Sequence, residues 1–347
     1  MRSITSLDSR SRRRSRRGAP ALLLGLSLVI ASPAAAHRVL VTYFPAAQAS
    51  LDAQLAASLA LVPDGGPQDK GIGYGLRAAD RILALRAGDG RGATVNIPPA
   101  LEAGDWSGPV FAVSWLGLVR PLALDSLTQF DPGPPPPIGS DLYRAELAEV
   151  RAIGEDDATG GARTLEQELT ARYFAALPFG PMQQGLRGVA TAQGMDISDS
   201  ARFFAATNTV IADALGTAWN AKLRYMWWRP IQAIREVIDD GDAATIADAT
   251  WNSLLPAPPY PEWPSGLCSV IGAITASLER LAGGVNITMG TDAVGYRQWT
   301  SKAVLDATAV DARIWSGIHF RTSDVVAIGI GNNSASYILD RYFAPSN

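Results

Sequence analysis

Two proline-rich segments divide a chain whose apolar residues otherwise recur at helical spacing. Residues 131–139 contain four consecutive prolines and residues 256–264 contain five prolines in nine positions, so neither segment can be helical. Leucines and alanines in 51–61 and 75–87 follow a helical period, and alternating β-branched residues over five or more positions are nearly absent. The sequence therefore predicts an all-α fold of packed helical bundles.

Local signals predict where some helices begin and end. Thr164 with Gln167 three residues later is a capping box, which predicts a helix through Ala176. The run Ser269–Ala282 is predicted to be helical as well. The glycine-rich stretch 71–75 lacks a preceding strand pattern and the spacing of a nucleotide-binding loop, so it is interpreted as a helix start with close packing.

The amino terminus has the three parts of a secretory signal. Seven arginines and one aspartate in residues 1–17 precede an apolar run over 21–31 and small residues over 32–36. A basic tail with a membrane anchor is the alternative. Cleavage after Ala36 would change the net charge from −3 to −9. Such an acidic chain is a poor partner for nucleic acid or an anionic membrane, and we expect an exported protein, periplasmic or extracellular.

Two helical regions are expected after the signal. We expect one over 37–140, ending in the proline-rich connection, and one over 141–347 with the candidate site; the two are expected to form one structural unit.

The numbers of cysteines and histidines limit the kinds of site that the chain can form. One cysteine, Cys268, excludes an intramolecular disulfide and a four-thiolate metal site. It is either a reactive thiol at a helix start or a small buried residue. Two histidines exclude a three-histidine zinc site.

Three segments of the carboxyl-terminal half contain candidate functional residues, and the first is 213–235. Leu215, Lys222 and Arg229 are spaced by seven, which places them near one face of an α-helix, with Arg229 close to its end because Pro230 follows. Two cations on an apolar stripe are costly to bury without an anion beside them. The alternative is that both side chains extend to solvent.

The other two segments add hydrogen-bond donors and a histidine. Ser265 precedes a predicted helix, where free backbone N–H groups bind anions, although an ordinary N-cap is the simpler interpretation. Arg313 and His319 are six residues apart, and Gly317 between them predicts a helix break that lets both side chains face one site. A packing role for His319 is the alternative.

Taken together, Lys-x6-Arg-Pro, Pro-Ser-Gly and Arg-x5-His resemble the three signature segments of the vanadium-dependent haloperoxidase and type 2 phosphatidic acid phosphatase superfamily. The resemblance to secreted bacterial haloperoxidase-like proteins extends over most of the chain after the signal, including 51–61, 71–90 and 163–174. It implies an all-helical fold built on four-helix bundles.

The resemblance also implies a site and its reactants. The cofactor would be vanadate, with phosphate as a competing occupant, and the partners would be hydrogen peroxide, a halide and a small organic acceptor; homo-oligomerisation stays open. His319 would be the axial vanadium ligand, or the nucleophile in phosphatase relatives, and Lys222 would act with it in catalysis. The residues implied to hold the oxyanion are Lys222, Arg229, Ser265, Gly266, Arg313 and His319.

The chain departs from the family pattern at two positions. Leu267 stands where the family has an acid–base histidine, and Ser323, followed by Asp324, stands where many relatives have an acidic residue. Glu262 or Tyr260 is a possible substitute for the missing acid–base group. Three functions follow as alternatives: a vanadate-dependent haloperoxidase, a phosphohydrolase, and a non-catalytic oxyanion-binding or scaffold protein.

Overall fold

A computed structural model describes residues 15–156, 162–177, 179–236 and 245–344. Eleven α-helices and a single two-stranded β-hairpin account for the regular structure of these ranges, apart from short 3-10 turns, so the all-α prediction is confirmed. The helices are α1 Ser15–Tyr43, α2 Gln48–Leu59, α3 Gly66–Leu85, α4 Asp141–Ile153, α5 Leu165–Ala175, α6 Phe179–Ala192, α7 Ile197–Tyr225, α8 Pro230–Arg235, α9 Gly266–Leu281, α10 Lys302–Trp315 and α11 Arg321–Tyr342.

The described residues fall into two compact units, one within 1–89 and 195–201 and the other within 90–194 and 202–347. The boundaries predicted at residues 36 and 140 stay predictions. In the first unit α1 packs against α3, and a Cβ added to Gly75 would lie 2.3 Å from the carbonyl oxygen of Ala31. Glycine is therefore needed for this close approach, and the predicted close packing of stretch 71–75 is confirmed. The predicted helix start there is wrong, because α3 begins at Gly66 and the stretch lies within the helix.

Helix α1 contains the predicted apolar run and the predicted cleavage position after Ala36. The predicted arginine-rich region lies largely outside the described residues, because the structure describes the chain from residue 15. Across the described part of the chain, no helix combines the length and the apolar character that a membrane crossing requires.

Helices α9 and α11 form the centre of the second unit. Twelve of the sixteen residues of α9 are buried, because the helix is apolar on most of its surface. Glycines bring the two backbones together: a Cβ on Gly331 would lie 2.3 Å from the amide nitrogen of Ala273, and one on Gly272 would lie 2.5 Å from the carbonyl oxygen of Ile328. This pairing holds the beginnings of α9 and α11 in register, since the amide of Ser265 also donates to the carbonyl of Ser323 at 3.2 Å.

The predicted starts and breaks are mostly confirmed. The Thr164 side chain accepts from the amide of Gln167, whose side chain accepts from the amide of Thr164, and α5 ends one residue before the predicted position. Both proline-rich segments are non-helical. Helix α9 begins at Gly266, three residues before the predicted start, because Ser265 caps it.

Two expectations differ from the structure. Lys222 and Arg229 do not share one helix: α7 ends at Tyr225, Met226 has a φ of 43°, and Arg229 caps α8 in an extended conformation. The physical reason is Pro230, which disfavours helical geometry at the preceding residue and is itself favourable at the first position of a new helix. The second difference is an antiparallel hairpin that was not predicted from the sequence, with strands β1 Ile287–Thr291 and β2 Gly295–Trp299.

Candidate functional site

Lys222 lies in the last turn of α7 and is fully buried. Its Nζ donates to the carbonyl oxygens of Pro261 at 2.7 Å and Glu262 at 2.9 Å, and it lies over the rings of Trp219 and Tyr260. Burial, together with the neighbouring Arg229, holds the pKa of Lys222 well below its usual range. Two of its three N–H donors are used by carbonyls, so one donor is left for another acceptor.

Arg229 is buried as well, at the N-cap of α8. Its Nε donates to the carbonyl of Tyr260 at 3.0 Å and its Nη1 to the carbonyl of Ile318 at 2.8 Å. Burial lowers the pKa of Arg229 to about 10, so the guanidinium is charged at neutral pH. Neither Lys222 nor Arg229 extends to solvent, which rules out the alternative stated for them.

The start of α9 lies beside these cations. Ser265 is buried, and its Oγ accepts from the amide of Cys268 at 3.4 Å. A Cβ on Gly266 would lie 2.5 Å from the Trp219 ring, so glycine is the residue that lets the helix start approach α7 this closely. The first N–H groups of a helix have no partner within it and favour an anion.

A left-handed turn joins α10 to α11 and positions the third segment. Gly317 has a φ of 74° and follows the end of α10, so the predicted break is confirmed. Arg313 and His319 are both buried on either side of it. The Arg313 charge helps to lower the pKa values of His319 and Lys222, as expected for cations that converge on one region.

The two ring nitrogens of His319 have different partners. Nε2 lies 3.1 Å from Nη1 of Arg229, and Nδ1 lies 2.7 Å from Oε1 of Glu262. A guanidinium only donates, so Nε2 accepts and the proton is on Nδ1. Burial, with the charges of Arg229, Arg313 and Lys222, lowers the pKa of His319 well below its usual range. His319 is therefore a neutral imidazole with the lone pair of Nε2 on the side of the cations.

Two buried carboxyl groups accompany the cations. Burial raises the pKa of Glu262 to about 7 and the pKa of Asp324 well above its usual range. Oδ1 of Asp324 accepts from Sγ of Cys268 at 3.3 Å, and burial raises the pKa of that thiol well above its usual range. Cys268 is thus the small buried residue of the two alternatives, and a reactive thiolate is not supported.

Three buried polar atoms at these residues have no hydrogen-bond partner within the described ranges: Nε of Arg313, Oε2 of Glu262 and Oδ2 of Asp324. Unsatisfied buried polar atoms are costly, and three cations in one buried region repel one another. An oxyanion would satisfy the Arg313 nitrogen and reduce the repulsion among the cations, because it accepts from Arg313 and Lys222 and neutralises their charge. The residues present therefore fit an oxyanion such as vanadate or phosphate.

The structure brings together all six residues that were expected to hold the oxyanion, on the ends of α7 and α10 and the starts of α8, α9 and α11. Leu267 follows Gly266. It is partly exposed, whereas the other residues of segment Pro261–Ser269 are buried. The contact between Glu262 and His319 was not predicted from the sequence. Their separation of 57 residues leaves no local pattern that would reveal it.

Comparisons with known proteins agree with the helical fold. Residues 202–345 match the family model described as the VCPO second helical-bundle domain. A solved structure of a bacterial vanadium-dependent iodoperoxidase is similar at TM-score 0.67 and 21% identity, over 92% of this chain and 91% of that one. Holo- and apo-type structures of a bacterial vanadium-dependent chloroperoxidase have TM-scores of 0.70 and 0.69 at 18% and 16% identity. They cover 90% of this chain and 81% and 82% of theirs. No curated protein matches the sequence.

Proposed function

We propose that this chain is a vanadate-dependent haloperoxidase of the vanadium haloperoxidase and type 2 phosphatidic acid phosphatase superfamily, and its helical fold and the family model over residues 202–345 support the proposal. The observation that carries the proposal is the Arg313 guanidinium, which is buried with an unpartnered Nε beside two more buried cations and a neutral histidine. These groups together match a tetrahedral oxyanion held by a histidine nitrogen.

Each residue has a distinct task in this proposal. Lys222, Arg229 and Arg313 bind the oxyanion oxygens and offset their charge, and the donors at Ser265 and Gly266 complete the set. His319 holds the vanadium through Nε2. Bound vanadate supplies an electrophilic centre at which hydrogen peroxide becomes able to oxidise a halide. The buried donors stabilise negative charge without reorganising, which is the largest contribution that such a site makes to catalysis.

The organic acceptor of the oxidised halogen would have a suitable groove in the same unit. A cavity of about 740 Å³ is lined by prolines of 132–137 and by the aromatic rings of Tyr225, Trp227 and Trp263. This volume lies within the range of small-molecule pockets, and a mostly apolar lining suits an aromatic molecule. The groove supports a small organic acceptor in preference to a polar polymer.

Export forms a part of the same proposal. The arginine-rich start, apolar run and small residues before His37 are the parts of a secretory signal. The mature protein would act in the periplasm or outside the cell. We expect the amino terminus of the exported chain to be His37, which amino-terminal sequencing or intact mass measures directly.

A phosphohydrolase is the second candidate, because the Nε2 lone pair that would hold vanadium is also a nucleophile for phosphate esters. Leu267 supplies no proton to a leaving group. This activity would therefore be limited to activated esters such as nitrophenyl phosphate, whose leaving group needs no protonation.

The test is halide oxidation by the purified mature protein. Bromination or iodination of a phenolic dye is measured with peroxide while orthovanadate is titrated, beside His319→Ala and the matched control His37→Ala at the other histidine. We expect saturable, vanadate-dependent turnover that His319→Ala abolishes and His37→Ala leaves unchanged.

Two other outcomes would contradict the proposal. Ester hydrolysis without halide oxidation would favour the phosphohydrolase. Vanadate binding by calorimetry without either activity would leave a non-catalytic oxyanion-binding protein.

A further inference from the structure

His319 is held by a carboxyl group from a distant segment of the chain. Oε1 of Glu262 lies 2.7 Å from its Nδ1, and the carboxyl group is fully buried. We propose that Glu262 is a positioning residue that accepts a hydrogen bond from Nδ1–H of His319 and thereby presents the Nε2 lone pair to the oxyanion. The inference deepens the proposed function and rests on it.

Glu262 is itself fixed from several sides. Its Oε1 also accepts from the amide of Phe320 at 3.1 Å, its amide donates to the carbonyl of Trp227 at 2.8 Å, and its own carbonyl accepts from Lys222. The carboxyl group therefore cannot move without disturbing the segments that supply Lys222, Arg229 and His319. The orientation of the His319 imidazole therefore depends on the same backbone segments that position Lys222 and Arg229.

The nearer acidic and polar residues of α11 do not perform this task. Ser323, at the position where many relatives have an acidic residue, lies 3.5 Å from Nδ1 of His319, which is the limit of a hydrogen bond. Asp324, the next residue, pairs with Cys268. Glu262 thus replaces an acceptor from α11 with one from the segment that leads into α9.

The chemistry of the pair explains why this matters for a bound oxyanion. A hydrogen bond to a carboxylate is shorter and stronger than one to a neutral acceptor. When it fixes the tautomer of a histidine, it also makes the opposite nitrogen a stronger ligand. Without it, a proton on Nε2 of His319 would point at the cations and block the ligand position.

The first test uses the unmodified, anion-free protein. Because the chain has two histidines, ¹⁵N-histidine labelling gives a simple long-range proton–nitrogen spectrum, and His37→Ala assigns it. We expect His319 to be neutral and protonated at Nδ1. A proton on Nε2, or a doubly protonated ring at neutral pH, would overturn the proposal whatever the activity of the protein.

The second test compares Glu262→Gln with the matched control Glu146→Gln. Glu146, on α4, is also a buried carboxyl group, but it accepts from the amide and hydroxyl of Thr322 at the start of α11. We expect Glu262→Gln to add signal from the other tautomer of His319 and to weaken orthovanadate binding in calorimetry by about 10–100-fold. Glu146→Gln should change neither quantity.

The outcomes separate this inference from the proposed function. Unchanged His319 signals and unchanged vanadate affinity in folded Glu262→Gln would contradict the positioning role even if the enzyme is active. The expected tautomer with no halide oxidation would leave the role of Glu262 intact and contradict the haloperoxidase. If Glu262→Gln does not fold, the tautomer in the unmodified protein still decides.

Discussion

Leu267 is the residue at which this site differs most from the family pattern that the sequence resembles. It occupies the second position of α9, directly after Gly266, and it is partly exposed while the residues around it are buried. A leucine side chain can neither move a proton nor hydrogen-bond to an oxyanion. The charged groups that would bind the anion are present, whereas the group that would transfer protons beside it is missing.

Restoring the histidine should therefore raise turnover. We expect Leu267→His to increase vanadate-dependent halide oxidation by about 10²–10⁴-fold, the usual contribution of general acid–base catalysis. Steady-state kinetics at several pH values measures the change, and Leu267→Gln is the control because it is polar and of similar size but does not titrate. Equal rates in the unmodified protein and Leu267→His, at equal vanadate affinity, would show that proton transfer was not limiting.

At the scale of elements, the turn between α10 and α11 sets the distance between Arg313 and His319. A Cβ on Gly317 would lie 2.3 Å from the carbonyl oxygen of Gly154 and 2.8 Å from Cβ of Ser253. The turn therefore needs glycine for two separate reasons: its backbone is left-handed, and a neighbouring segment touches it.

Replacing this glycine should lower the stability of the fold. Gly317→Ala should lower the free energy of unfolding by about 1–2 kcal/mol for the left-handed backbone and by about 1–3 kcal/mol more for the overpacked contact. Gly283 is the matched control, because its φ is 73° and a Cβ there would have no heavy atom within 4 Å. Denaturant unfolding measures both variants, and equal losses would contradict the packing argument.

Across the whole molecule, the buried cations repel one another, and a bound anion would offset that repulsion. A ligand at 100 times its dissociation constant stabilises the folded state by about 2.7 kcal/mol. We expect orthovanadate, and phosphate at higher concentration, to raise the melting temperature beyond the effect of chloride at equal ionic strength.

The stabilisation should depend on Arg313. Arg313→Gln should lose most of the increase in melting temperature, whereas Arg341→Gln, an exposed position on α11 with the same change of charge, should keep it. Equal increases in both variants, measured by calorimetry, would show that the anion binds elsewhere.

The sequence predicted the helical class, both proline-rich breaks, the α5 capping box and the turn at Gly317, because each depends on local backbone preferences. The prediction that Lys222 and Arg229 lie on one helical face was wrong. Pro230 disfavours helical geometry at Arg229 and begins a new helix. The hairpin at 287–299 was also missed, since its strands are short and one of them is largely exposed.

The sequence by itself determined which groups are available: three candidate cations, one candidate histidine ligand, a predicted helix start at Ser265 and no acid–base histidine at Leu267. The tertiary structure decided which of these groups contact one another. It placed Glu262 against a histidine 57 residues away, paired Asp324 with Cys268 and left Arg313 without a partner for its Nε within the described residues. Hydrogen bonds and charge interactions depend on distances of a few ångströms, and only the packing of the helices sets those distances.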